Sequence, residues 1–376
     1  VATFTNGELY APTVESEDPR RKNEGQCKSK LITLSFLLVV FFLGACSGHT
    51  STSPSNTETP LRVALAPFQD SALITNEKQF DLEKKYGIKL QFVDVPAEEL
   101  LSTLASAGQT VDVSYGCLTE YLIKSANLNR RDDDPIIFLY PLFVFRGGGF
   151  ISFNPEVPEI NSRTIHDRAL VKKFLGYRIG SPKWTWADIM LFVLAKQVGM
   201  RFSDLHSTDI PLADGLLAAE NGSLDVMAAG LPQMTECLKR HGRLVFGVDT
   251  IGFGEVIGLA CKESVYKKRK KEIQAFIRLW IECANRSLSD IDHNCNPELA
   301  YLKAHASTQY TVDEFKRALA LEYFPKDISE IKRELLSDSG KYSINQSTKT
   351  INQYLIDIGA IKIPISAPKP ISLDEK

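Results

Sequence analysis

The sequence carries almost no net charge: 44 Lys and Arg against 46 Asp and Glu leave −2, with the six His counted as neutral. Such a balance creates no long-range field for nucleic acid or for an anionic membrane surface, so no nucleic-acid partner is expected. The one basic block, Lys267-Lys268-Arg269-Lys270-Lys271, reads as a solvated helix start after Tyr266. Catalytic signatures are missing too. There is no nucleophile elbow, no HExxH, no Walker loop and no pair of carboxylates spaced for acid–base work, and the His residues are scattered. Gly147-Gly148-Gly149 leads into neither GK[ST] nor a GxGxxG order, which excludes a phosphate loop. The seven Cys form no CxxC and no Cys/His ligand spacing, so neither a metal site nor a cofactor is expected. No repeat at solenoid period is present.

What the chain does have is a single long apolar run, Leu31 to Cys46, behind a flank holding Arg20, Arg21, Lys22, Lys28 and Lys30. The run is shorter than the ~20 residues of a membrane span and has the length of a signal-peptide core. Its end, Leu43-Gly44-Ala45-Cys46, resembles the lipobox of bacterial lipoproteins, which implies lipidation of Cys46 and loss of Cys27 with the leader. Ser47 to Pro60, rich in Ser, Thr, Pro, Asn and Gly, cannot bury a core and reads as a tether. Five Cys then remain: Cys117, Cys237, Cys261, Cys283 and Cys295. Export permits disulfides, and Cys283 with Cys295 is the pair to test against five free thiols.

From Leu61 onward strands alternate with helices. Strand-like segments fall at Leu61–Ala66, Ile88–Val95 and Val111–Tyr115, with helices expected over Asn76–Tyr86 and Glu98–Ala107. A second set follows the glycines: strands at Phe150–Phe153, Tyr177–Gly180, Leu224–Ala228, Arg243–Val248 and Ile257–Cys261, and helices at Thr185–Val198 and Leu212–Asn221. Thr185 is the expected N-cap, with Asp188 as its capping-box partner. The remainder is helical, at Tyr266–Leu288, Pro297–Ala306, Val312–Leu321 and Ser347–Ile358. Alternation of this kind implies an α/β fold with mostly parallel strands, and the length suits two lobes.

Several segments resemble the solute-binding proteins of ABC importers, in the nitrate, sulfonate, taurine and thiamine-pyrimidine class. They are Leu61–Ala66 with Lys85-Tyr-Gly-Ile-Lys-Leu90, Leu104–Val113, Leu175–Pro182 with its helix to Gly199, and Ala218–Met227 followed by Gly230-Leu-Pro232. The resemblance, which covers about residues 61–290, implies a two-lobed type II periplasmic-binding fold with a helical C-terminal part. Residues 61–149 plus 255–376 would form lobe one and 150–254 lobe two, with 1–46 as leader and 47–60 as tether. It also implies a monomer on the cell envelope that hands a small molecule to a permease and its ATPase. An enzyme of the same fold, from thiamine-pyrimidine or menaquinone synthesis, and a lipid-anchored sensor remain as alternatives.

The ligand would lie at the C-terminal ends of the strands. Phe68 and Gln69 follow the first strand, for stacking and hydrogen bonding, and Tyr115 ends the third. Ser181, Trp184, Thr185 and Trp186 precede a helix whose free N–H groups suit an anion, with the two indoles placed to sandwich a ring. Gly230 and Phe253 lie in loops at strand ends, and Arg146, at the outgoing crossover, is the cation available to an acidic group. So aromatic a set favours a ligand with a ring or alkyl body over bare nitrate.

Overall fold

The computed structural model describes residues 59–96, 99–106, 110–128, 133–306 and 309–373. The leader, the lipidation candidate Cys46 and the tether up to residue 58 lie outside the described residues.

Ten strands form two five-stranded sheets. The first holds β1 (Leu61–Leu65), β2 (Leu90–Asp94), β3 (Val113–Cys117), β4 (Ile136–Phe145) and β10 (Glu255–Lys262), in the order β2-β1-β3-β10-β4. The second holds β5 (Gly149–Ser152), β6 (Ile179–Ser181), β7 (Ser207–Asp209), β8 (Val226–Ala229) and β9 (Arg243–Gly247), in the order β7-β6-β8-β5-β9. The two sheets share one plan. Three strands on one side pair in parallel, and one antiparallel strand sits in the fourth position. That odd strand is in each case the one that has just arrived from the other sheet: β5 on the way out, β10 on the way back. The mixed α/β class expected from alternation is what the chain adopts.

The chain crosses between the sheets twice, through residues 146–148 and 248–254. The two crossings touch, since the Val248 N–H donates to the Gly148 carbonyl at 3.0 Å. Glycine is needed here for space. A Cβ on Gly147 would stand 2.4 Å from Leu231 Cδ1 and 2.7 Å from Glu322 Oε1, and one on Gly148 would stand 2.8 Å from the Trp186 ring.

Each sheet has its own apolar core. Leu61, Val63 and Leu65 of β1 pack with Phe143, Phe276 and Trp280 in the first. Phe150, Phe174 and Phe246 pack edge to face and face to face in the second. The C-terminal helices cover the first sheet, and the helical stretch Glu263–Ser289, kinked at Arg269 by φ −118° and ψ 28°, contributes Phe276, Ile277 and Trp280. The basic block falls in the first turns of this helix, where Arg269 bonds Asp112, Glu272 and the carbonyls of Thr59 and Pro60.

The sequence reading does not place the helices Leu118–Leu128, Arg168–Leu175 and Leu231–Lys239 or the strand β7, and two further differences have a clear physical cause. The segment expected as one helix over Asn76–Tyr86 is a 3-10 turn, Ser71–Glu77, and a short helix, Leu82–Tyr86. Asp81 divides them with φ +54°, a conformation that breaks a helix. The other is β4, the longest strand, which Pro141 conceals. Proline is tolerated because β4 is the edge strand and because β4 bulges there: Ile257 and Gly258 of β10 pair with Phe143 and Pro141, leaving Leu142 as the extra residue. Gly258 makes room at that point, as a Cβ there would lie 2.6 Å from the Tyr140 carbonyl oxygen.

Candidate functional site

Between the sheets lies a mostly apolar cavity of about 110 Å³. At ~10–15 Å³ per water that is space for several waters or a small organic molecule. Its walls follow from topology. From the first sheet come Phe68 and Asp70 after β1, Tyr115 and Cys117 at the end of β3, and Phe143 and Phe145 at the end of β4. From the second come Pro182, Thr185 and Trp186 after β6, Leu212 before the next turn of chain, and Gly230 after β8. Almost every lining residue therefore closes a strand or opens a helix, which is where open α/β sheets bind small molecules. A larger trough of about 1020 Å³, between Arg62, Asp112 and the Lys267–Lys271 block, is open and lined by charge on one sheet's outer side. It lacks the convergent walls of the smaller cavity.

Five aromatic side chains border the cavity: Phe68, Tyr115, Phe143, Phe145 and Trp186. Trp186 is held by Phe145 and Phe150, with ring centroids 5.6 and 6.4 Å away. The Tyr115 hydroxyl accepts from Trp280 Nε1 at 2.7 Å, so the ring borders the cavity while its polar tip is tied into the first core.

Beside the hydroxyl residues Ser71, Tyr115 and Thr185, the cavity wall carries two carboxyl groups, Asp70 and Glu120. Asp70 is 6 % exposed and accepts from the Ser71 N–H at 2.5 Å. Burial pushes its carboxyl up to about 7. Glu120 stands across the cavity in the first turn of the helix Leu118–Leu128, 3.6 Å from Lys124. Behind this lining, Glu322 accepts from the Arg146 N–H at 2.6 Å and from Gln69 Nε2 at 3.3 Å. Desolvation and the neighbouring Asp70 raise its carboxyl far above the usual range. Glu255 accepts from the N–H and hydroxyl of Thr119, and burial lifts it to about 7.

Of the residues singled out from sequence, Phe68, Tyr115, Thr185, Trp186 and Gly230 come together on the cavity wall. Gln69 is fully buried beside it, with its amide on Glu322 and its Oε1 without a partner among the described residues. The Arg146 side chain is half-buried at the crossing and does not line the cavity. Phe253 is wedged between the two cores. Ser181 is buried under the wall, 3.3 Å from Asp188 Oδ1. Trp184 points elsewhere. It adopts φ +66°, which lets its N–H donate to Asp188 Oδ2 at 2.8 Å and leaves its indole 39 % exposed.

The same turn changes the picture of an anion site at this helix. The helix runs Trp186–Gln197 with Thr185 as N-cap, and Thr185 Oγ1 accepts from the Ala187 N–H at 3.3 Å. Asp188 reaches back one residue further than a capping box requires, to Trp184 rather than to Thr185. The chain thus satisfies these donors itself and places a carboxylate among them. Asp70, Glu120 and Glu322 escaped the sequence reading. Glu322 in particular lies 253 positions from its partner Gln69, and no local pattern links them.

All five described Cys are free thiols, Cys283 and Cys295 included. Among the described residues no cluster of three or more His, Cys, Asp or Glu is placed to hold a metal ion, and no helix is long and apolar enough to cross a membrane.

No protein-family model matches the chain. A protein of Brachyspira hyodysenteriae, whose naming as an ABC transporter periplasmic binding protein is itself provisional, is 19% identical over 287 residues, 74% of this chain and 80% of its own length. Among solved structures, the periplasmic aliphatic sulphonate-binding protein of Escherichia coli superposes with a TM-score of 0.58 at 14% identity, over 85% of this chain and 96% of that one. The periplasmic nitrate-binding protein of Synechocystis PCC 6803 gives 0.57 at 13% identity, over 81% and 90%. The alkanesulfonate-binding protein of Xanthomonas axonopodis pv. citri, solved with MOPS bound, gives 0.52 at 17%, over 73% and 89%. The chain has the fold of these periplasmic binding proteins.

Proposed function

We propose that this chain is the extracytoplasmic solute-binding component of an ABC importer. It would close on a small organic molecule held between its two sheets and present it to a permease and its ATPase. The observation that carries this reading is the cavity built from strand ends of both sheets and flanked by two touching crossings. A ligand in it would contact both halves at once, so binding favours the closed arrangement. The relatives' descriptions support the same role. No chemistry is assigned: burial raises the Asp70 carboxyl, but among the described residues no nucleophile–base pair faces it, and the function is capture and release.

In this reading residues 61–149 with 255–376 move as one lobe and 150–254 as the other, with 146–148 and 248–254 as hinges. Phe68 and Trp186 face each other across the ligand, and Gly230 offers backbone contact. Lipidation of Cys46 would hold the monomer at the envelope, and its substitution by Ala should release the protein from membranes. The importer role is tested by reconstituting the permease and ATPase encoded beside this gene. The liganded protein should accelerate ATP hydrolysis several-fold. No acceleration, or no such genes nearby, would favour a lipid-anchored sensor.

A further inference from the structure

We propose that the cavity selects a small organic cation, a protonated amine or a cationic nitrogen heterocycle on an apolar body, over a sulfonate or nitrate. This rests on the solute-binding reading above and names the ligand class for the same site.

Charge on the wall decides the sign. Asp70 and Glu120 line the cavity, and no Lys, Arg or His does. Among the described residues no ion pair involves Asp70, Glu255 or Glu322, while Glu120 has Lys124 at 3.6 Å on its own helix. Arg146, the nearest basic residue in sequence, meets Glu322 through its backbone N–H. A narrow, largely apolar cleft lined by one sign of charge concentrates counter-ions of the other.

Helix starts are the one feature that would favour an anion. Four converge here: Leu118–Leu128, Trp186–Gln197, Leu212–Glu220 and Leu231–Lys239. Each contributes about half a unit of positive charge. The first three carry Glu120, Asp188 and Asp214 in their first turns, and a carboxylate there opposes the positive helix end. Of these four helices Leu231–Lys239 alone has no acidic residue there, and the six-residue helix Leu100–Ala105, whose first residue also lines the cavity, has none either. The balance over the cavity is negative.

The aromatic walls agree. Trp186, Phe145, Phe143 and Phe68 present ring surface to the enclosed volume. Such faces attract a cation and bind a flat apolar body, whereas an anion over them is repelled. The raised pKa of Asp70 fits a site in which the compensating positive charge comes with the ligand.

Isothermal titration of the full chain in neutral detergent, near pH 8, with three probes of one shape tests this: benzylammonium, benzyl alcohol and benzylsulfonate. Benzylammonium should bind about tenfold or more tightly than the alcohol, with the sulfonate weakest. Asp70→Asn, which keeps an acceptor for the Ser71 N–H, and Glu120→Gln, on a half-buried side chain, should each shrink that preference, read as the ratio of benzylammonium to benzyl alcohol affinity in the same variant. Benzylsulfonate binding as tightly as benzylammonium would overturn the ligand class and leave a binding protein in place. Silence from all three probes at millimolar concentration would also overturn it. The solute-binding reading would then stand or fall separately, on whether native mass spectrometry finds any captured small molecule.

Discussion

The hydroxyl of Tyr354 donates to Oδ2 of Asp188 at 3.0 Å, so a helix near the C-terminus grips the helix Trp186–Gln197 of the second sheet. Phe192 and Phe202 pack their rings on Tyr354, with centroids 5.6 and 5.2 Å away. The two sheets are therefore linked by a third connection besides the two crossings, and Asp188 is at once a helix-start ligand and a clasp.

Replacing Tyr354 by Phe keeps the ring packing and removes only the clasp. Asp188 is 2 % exposed, so it loses a partner it cannot replace with water. A cost of ~1–3 kcal/mol follows, read by differential scanning calorimetry as a drop of several degrees. An unchanged melting temperature would show that the clasp contributes nothing.

Gly147→Ala should destabilise by ~1–3 kcal/mol, because the new Cβ would meet Leu231 and the buried Glu322. Gly87→Ala is the contrasting case: its surroundings are open, but its φ of +64° is strained for any side chain. That variant should lose ~1 kcal/mol and leave ligand binding intact, whereas Gly147→Ala should weaken it. Denaturant melts and a binding titration of both variants separate the two effects.

Stability of the ligand-free protein should fall as pH rises from about 5 to 8. Burial lifts Asp70, Glu77 and Glu255 to about 7 and Glu298 to about 8, and burial with the neighbouring Asp70 also raises Glu322 well above the usual carboxylate range. An acid whose pKa is higher folded than unfolded binds more protons in the folded state between the two values, so its contribution is complete below the unfolded pKa and is lost through the folded one. The depressed acids, such as Asp225 at about 2, act only below this window. Melting temperature against pH checks the sign, and a rise towards pH 8 would contradict it.

Reducing agent should leave the melting temperature unchanged, because the described Cys are all free. A fall on reduction would reveal a disulfide that the fold does not contain.

Much of this was legible in the sequence, for local reasons. Thr185 marks its helix by a side chain that caps it, and Gly87 stops its helix with φ +64° and an N–H on Glu83. Parallel pairing of the first strands of each sheet follows from alternation, because parallel strands need crossover helices. What stayed hidden depends on partners distant in sequence. Pro141 argues against a strand until its partner β10, more than a hundred residues on, is in view and Leu142 is seen to bulge beside it. Trp184 and Trp186 look equivalent in the sequence, and only the positive φ of Trp184 sends one indole outward and leaves the other on the cavity. The acidic character of the cavity is invisible for the same reason, since Asp70, Glu120, Glu255 and Glu322 meet only after folding.

Native mass spectrometry is the most direct check that the space between the sheets holds a transported molecule. The full chain would be released from detergent after exposure to spent growth medium of its source organism, beside Phe68→Ala. The wild type should carry one small molecule per chain, and Phe68→Ala, which opens the wall at a half-buried position, should have lost most of it. Bare protein in both spectra, or an adduct indifferent to Phe68, would contradict capture between the sheets.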